Sequence, residues 1–261
     1  MKHIEQELEI IKEEIAKSFE NGIFLDELKK FVLVGSKFIR STLAVLYLKA
    51  NNKEFNFDMA KIIASCEIIH NASLLHDDVI DDAKERRGEA TFAARFCSKV
   101  SILAGDYLLS KAIAKLAGLN KNDALADFQE CAEKMIEAEI QQYFLRGNLP
   151  TEVEYIEICK QKTAKLFATT LKACAKQANL NDDIAYKFGE LFGLCFQLKN
   201  DLEPLSAKID IKNGIYTAKD IFGIEKTVLL LDNYKEQMRS LLKEFPHSIY
   251  KEGLEDLVNK L

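Results

Sequence analysis

Apolar residues recur at helical spacing along most of the chain. Ile4, Leu8, Ile11 and Ile15 line one face of a first helix over residues 1–18, and Asn21 and Gly22 end it. A second helix is predicted over 24–33. From Ser41 to Lys49 the run LAVLYL is nearly continuous, so burial on all sides is expected. A long helix is predicted from Asp58, read as its cap, to Asp82. The segment 91–119 includes SILAGDYLLSKAIAKLAG, where small and large apolar residues alternate as close helix packing requires. Further helices are expected over 122–147, from Thr151, over 182–203, over 221–245 and over 253–261. Thr151 and Glu154 have the spacing of a capping box. A lysine-bearing loop follows Pro204. No repeat and no convincing domain boundary is visible.

Composition narrows this to one large, nearly all-helical domain over 1–261. The chain has 261 residues, 48% hydrophobic, with 11 Gly and only 3 Pro. No run of 18 apolar residues predicts a bilayer span, and the charged first segment does not read as a signal peptide, so a cytoplasmic location is expected. The 6 cysteines lie singly, without metal spacing, and read as free thiols in a reducing compartment. A net charge of −5 offers no basic surface to nucleic acid.

The chemistry concentrates between Cys66 and Gly88. Glu67, His70, Leu74, Asp77 and Asp81 recur every three or four residues and share one helix face. Asp77 and Asp81 are one turn apart, with Asp78 beside them. Hard oxygen ligands at that spacing suit Mg²⁺, which takes one or two carboxylates and fills its shell with water and phosphate. Arg86 and Arg87 follow, and guanidinium forks match phosphate oxygens in pairs. Together they describe a diphosphate site. The competing reading is a charged, solvated helix end, which would not need the apolar run Ala72–Leu75 directly before the acids.

Weaker signals lie elsewhere. In GSKFIRS (35–41), Lys37 and Arg40 are three apart and would share one side of a helix beginning there, either as an anion site or as a surface pair. Lys162 and Thr163 interrupt an alanine-rich apolar face, as phosphate holders or with the lysine snorkelling. Gly189, Gly193, Gln197 and Asn200 share a face with Asp201 beside it, and that face packs either a neighbouring helix or a ligand.

Taken in order, these residues resemble the trans-isoprenyl diphosphate synthases, from about Gly35 to Thr217. The family's GGKRxRP corresponds to GSKFIRS, and its first DDxxD is intact as Asp77, Asp78 and Asp81. His70, the Lys162–Thr163 pair and the Phe196–Gln197 pair match as well. The resemblance implies an all-α helical bundle around a central cavity and a Mg²⁺-dependent condensation of isopentenyl diphosphate with an allylic diphosphate. By analogy Lys37, Arg40, His70 and Arg87 bind the former. Asp77, Asp81, Arg86 and Lys162 hold the latter with its magnesium, Asp78 and Asp201 belong to the metal motifs, and Thr163 and Gln197 complete the catalytic set. Relatives usually form homodimers, and the apolar run in residues 100–119 is where that interface is expected, although the same run equally suits internal core. Ala72 and Ser73, where short-chain relatives carry bulky residues, imply a medium or long polyprenyl product of the kind used for quinone tails.

The departures are specific. The second DDxxD reads Asn200, Asp201, Leu202, Glu203, Pro204, which replaces a metal-binding acid by a neutral amide. The family's lysine-bearing GKxT reads Gly214, Ile215, Tyr216, Thr217. Reduced activity is therefore expected. Two other functions fit parts of the pattern: a weakly active or non-catalytic subunit of a heteromeric synthase, and a class I terpene cyclase. The cyclase would want a hydroxyl at Pro204 and an acid at Lys208, and it lacks a use for Lys37, Arg40 and His70.

Overall fold

The computed structural model describes residues 2–19, 22–86, 88–119, 123–203 and 213–261. In chain order its helices are α1 (Glu5–Ala16), α2 (Ile23–Leu33), α3 (Ile39–Ala50), α4 (Phe57–Ile80), α5 (Phe92–Arg95), α6 (Ser98–Ala117), α7 (Asp123–Leu145), α8 (Glu152–Cys159), α9 (Lys165–Gln177), α10 (Asp182–Leu202), α11 (Ala218–Phe222), α12 (Ile224–Leu242) and α13 (Ile249–Lys260). A π-helical turn, Lys160–Ala164, joins α8 to α9, and a two-stranded hairpin, β1 (Glu85–Arg86) with β2 (Glu89–Ala90), follows α4. The fold is all-α, as the periodicity predicts. Contacts divide the chain into two compact units, residues 1–45 with 55–125 and residues 46–54 with 126–261.

The first unit is built around α4. Met59, Ile62, Ile63, Cys66, Ile69 and Leu75 are buried around most of its circumference, which marks an interior helix. Its cap is Asn56, whose Oδ1 accepts from the Met59 N–H at 2.9 Å; Asp58, read from the sequence as the cap, lies inside the first turn. Residues 91–119 form two helices rather than one segment, because Thr91 caps a short α5 before Cys97 starts the next. Helix α6 lies close against α4. A Cβ on Gly105 would sit 2.3 Å from His76 Nε2, and Ser101 Oγ donates to the Leu75 carbonyl at 2.9 Å.

In the second unit α10 packs on α9 and on α12. A Cβ on Gly189 would lie 2.7 Å from Ala168 Cα, and one on Gly193 would lie 2.4 Å from Ala164 Cα. A neighbouring helix, not a ligand, therefore covers the glycine face. The capping box at Thr151 and Glu154 forms as expected. The last helix begins at Ile249, capped by Ser248, four residues before the predicted start at Gly253. The helix expected from Ile221 is divided by Gly223, whose φ of 76° breaks α11 from α12. Pro204, Lys208 and most of the expected loop lie outside the described residues.

Candidate active site

The acidic end of α4 is closed by a Schellman turn. The Ala83 N–H donates to the Asp78 carbonyl at 2.9 Å and the Asp82 N–H to the Val79 carbonyl at 3.3 Å, with Asp82 at a φ of 49°. Asp82 takes the left-handed position usual for glycine, which an aspartate tolerates better than most residues. The chain then enters the β1–β2 hairpin, and Thr91 Oγ1 pins it back to the Ala83 carbonyl at 2.8 Å. This return carries Arg86 onto Asp78: Nε donates to Oδ1 at 2.7 Å, and the Asp78 side chain is fully buried. Asp78 thus faces inward with an arginine, while Asp77 and Asp81 remain half-buried one turn apart. Arg87 lies outside the described residues.

Helix α3 begins at Ile39, so Lys37 precedes it and Arg40 sits in its first turn. Helical spacing therefore does not place the two cations on one side, as the sequence suggests. Phe38 between them is buried and held at a φ of 48°. A bulky residue held in the left-handed region is strained, and such strain gathers at functional sites. Ser41, next to Arg40, donates to Glu67 Oε1 from its backbone N–H at 3.1 Å and from Oγ at 2.7 Å. Glu67 is three residues before His70 and ten before Asp77, so the cationic segment is tied to α4 about 15 Å below the acids. Ala72 is buried, and half-buried Ser73 donates to the His70 carbonyl at 2.9 Å.

In the second unit Lys162 and Thr163 ride on the π turn, where the Lys165 N–H donates to the Lys160 carbonyl five residues back. Such one-turn widenings are frequent at functional sites. Lys162 Nζ meets Gln142 Oε1 at 2.7 Å and pairs with Glu139. Thr163 Oγ1 donates to Gln197 Oε1 at 2.9 Å, and Gln197 Nε2 donates to Asp201 Oδ1 at 2.7 Å. Asp201 Oδ2 accepts from the Tyr155 hydroxyl and from the Ala218 N–H, both at 2.7 Å. Burial pushes the Asp201 carboxyl above the ordinary aspartate value, and the donors from Tyr155, Ala218 and Gln197 pull part of the way back. Beside this network Gln142, Leu145, Tyr155, Ile158, Ile215 and Tyr216 line an open cleft. Ile215, where the resemblance leads one to expect a lysine, contributes an apolar wall.

Phe38, Glu139, Gln142 and Tyr155 carry no functional reading from the sequence, and Glu67 is read there only as part of the stripe that leads to the acids. Glu139 and Gln142 carried a readable signal, since an acid and an amide three apart share one helix face. The others act through partners distant in sequence.

The chemistry of the first acidic pair fits Mg²⁺. Asp77 and Asp81, half-buried one turn apart, offer hard oxygens; among the described residues no group of three His, Cys, Asp or Glu is placed to hold a metal by itself. Mg²⁺ takes one or two carboxylates and completes its shell with water and phosphate, so two such oxygen donors match its chemistry.

Comparison with known proteins agrees with the fold. The chain is 29% identical over 221 residues to a prenyl transferase of Cyanidium caldarium, covering 79% of this chain and 68% of that protein. It is 35% identical over 173 residues to the mitochondrial solanesyl-diphosphate synthase 1 of Oryza sativa subsp. japonica, covering 61% of this chain but 40% of that enzyme. The chain thus spans only part of the length of these curated relatives. The crystal structure of heptaprenyl diphosphate synthase from Staphylococcus aureus superposes with a TM-score of 0.89 at 19% identity, covering 98% of this chain and 97% of that one. Residues 23–256 match the family described as polyprenyl synthetase, and the chain belongs to that family.

Proposed function

We propose that residues 1–261 act as one isoprenoid-synthase domain that condenses isopentenyl diphosphate with an allylic diphosphate, lengthening a trans-polyprenyl diphosphate of the medium- or long-chain kind used for quinone tails. One observation carries this reading. A single helix, α4, bears Asp77 and Asp81 at its end and, through Glu67 and Ser41, anchors the segment that bears Lys37 and Arg40. Acids for a metal-held diphosphate and cations for a second one therefore belong to one scaffold.

Asp77 and Asp81 would hold Mg²⁺, which supplies charge stabilisation to the leaving diphosphate. In the first unit Arg86, steered by Asp78, would grip the allylic diphosphate, and in the second Lys162, steered by Glu139 and Gln142, is a cation suited to phosphate. Lys37, Arg40 and His70, together with Arg87, would orient isopentenyl diphosphate. The allylic C–O bond breaks, with its electron pair leaving on the diphosphate. The isopentenyl double bond attacks the cation, and a proton lost to the departing diphosphate restores a double bond. The protein contributes electrostatic preorganisation and needs no nucleophile. Five buried free thiols among six cysteines support a reducing, cytoplasmic setting, and exposed Ile102, Leu103 and Ile113 on α6 support a homodimer.

A second reading, a non-catalytic or weakly active partner in a heteromeric synthase, is favoured by the neutral Asn200. One experiment separates them. The purified chain is incubated with Mg²⁺, farnesyl diphosphate and labelled isopentenyl diphosphate, and products are sized by chromatography. Elongation by the chain alone, abolished by EDTA, is expected. Elongation seen only after a competent synthase is added would establish the second reading. With an active chain, Ala72→Phe is expected to shorten the product, and unchanged lengths would remove Ala72 from the floor of the hydrocarbon pocket.

A further inference from the structure

The second acidic motif does not fit the role its position suggests. Asp201 is 3% exposed, and its carboxylate already accepts from Gln197, Tyr155 and the Ala218 N–H, each at 2.7 Å. A carboxylate has about four acceptor sites, so three donors leave little for a cation. Asn200 beside it is a neutral amide, and Glu203 is exposed at the helix C-cap. A metal ligand at Asp201 would have to break charge-assisted bonds to form.

We infer that Asp201 is a positioning residue rather than a metal ligand, and that among the described residues the divalent-cation ligands are those of the first acidic motif. The inference rests on the function proposed above. Asp201 joins two pieces of the second unit that are remote in sequence. Through Gln197 it reaches Thr163 on the π turn, and through the Ala218 N–H it holds the first turn of α11. The turn held in this way carries Lys162, so the order imposed by Asp201 is passed to a phosphate-gripping cation. Tyr155, one turn ahead of Cys159 on α8, fixes the second oxygen and closes the network from the side opposite Gln197.

The hydrogen-bond pattern makes a discriminating pair of variants. Asp201→Asn keeps the shape. Its oxygen still accepts from Tyr155 and Ala218, and a flip of the Gln197 amide lets Gln197 accept from the new NH₂ while donating to Thr163. Asp201→Ala removes all of these contacts.

The test counts Mn²⁺ bound per chain by electron paramagnetic resonance in the presence of inorganic pyrophosphate, on the 261-residue chain, with KM for the allylic diphosphate as the second readout. Both Asp201 variants are expected to bind as many Mn²⁺ ions as the unaltered chain. KM is expected to rise about tenfold in Asp201→Ala and to stay within about twofold in Asp201→Asn, the scale of a lost hydrogen bond to a charged group. Loss of an Mn²⁺ ion in Asp201→Asn, which keeps the fold, would overturn the inference. Equal KM values in the two variants would do the same. Asp81→Asn distinguishes the underlying reading, which predicts a lost Mn²⁺ ion; an unchanged count there would sink the proposed function itself.

Discussion

Asp78 shows how one buried side chain fixes another in place. Its carboxylate is buried and takes Arg86 Nε at 2.7 Å, while Arg86 stays 30% exposed. The arginine is therefore aimed by a charge on one side and open on the other, which suits a group that must receive phosphate. Breaking a fully buried pair costs about 3–5 kcal/mol, and the exposure of Arg86 lowers that. Asp78→Ala is expected to reduce unfolding free energy by about 2–3 kcal/mol in urea titration, and Asp78→Asn by about half as much, since the amide oxygen still accepts. A loss below about 0.5 kcal/mol for Asp78→Ala, the scale of an ordinary surface change, would show that the pair contributes nothing. This division of labour is hidden in DDxxD as a string. Spacing shows that Asp77 and Asp81 share a face and that Asp78 does not, but only the hairpin return reveals its partner.

At the scale of elements, the close crossing of α10 over the π turn links packing to the candidate site. Gly193 admits Ala164, whose Cα would be 2.4 Å from an added Cβ, and the obstacle is backbone, which cannot swing aside. Gly193→Ala gains about 1 kcal/mol of helix propensity. Overpacking costs about 1–3 kcal/mol and is expected at the upper end against a rigid neighbour. A net loss of about 1–2 kcal/mol by thermal denaturation is therefore predicted, from the difference of those two terms, together with a higher KM for the allylic diphosphate as Lys162 shifts. A stabilised variant would mean that the helices separate freely at this point. The sequence showed that two glycines on one helix face needed a reason. It left a ligand and a helix as alternatives, because small residues look the same for either. Helix identity was otherwise legible almost throughout from period and caps. The errors fell at starts, where Asn56 and Ser248 outcompete Asp58 and Gly253 by offering a side-chain acceptor to the N–H two or three positions into the helix.

For the whole molecule, what the sequence could not show were pairings between distant residues. Ser41 and Glu67 are 26 apart, and Tyr155 and Asp201 are 46 apart. Neither carries a local period, whereas the acids of α4 do. The apolar run of α6 illustrates the same limit. Read alone it could be core or interface, and the structure buries one side of it and exposes the other. Ser101, Ala104, Gly105, Leu108, Ala112 and Leu116 are buried, whereas Leu103 is 66% and Ile113 45% exposed. Leu103, Asp106, Ser110 and Ile113 recur at three- and four-residue spacing, so the exposed apolar residues share one face. We propose that this face, with Leu103 and Ile113 at its two ends, is where a second copy packs, since a two-fold axis lets the same face serve both copies. The unaltered chain is expected to scatter light as twice its 29.6 kDa mass. Leu103→Lys combined with Ile113→Lys should bring it to the single-chain mass. Because neither side chain belongs to the buried face of α6, the helical circular dichroism should be unchanged, so a mass change reports on association and not on unfolding. A single-chain mass for the unaltered protein, or a double mass that survives both lysines, would exclude this face as the interface.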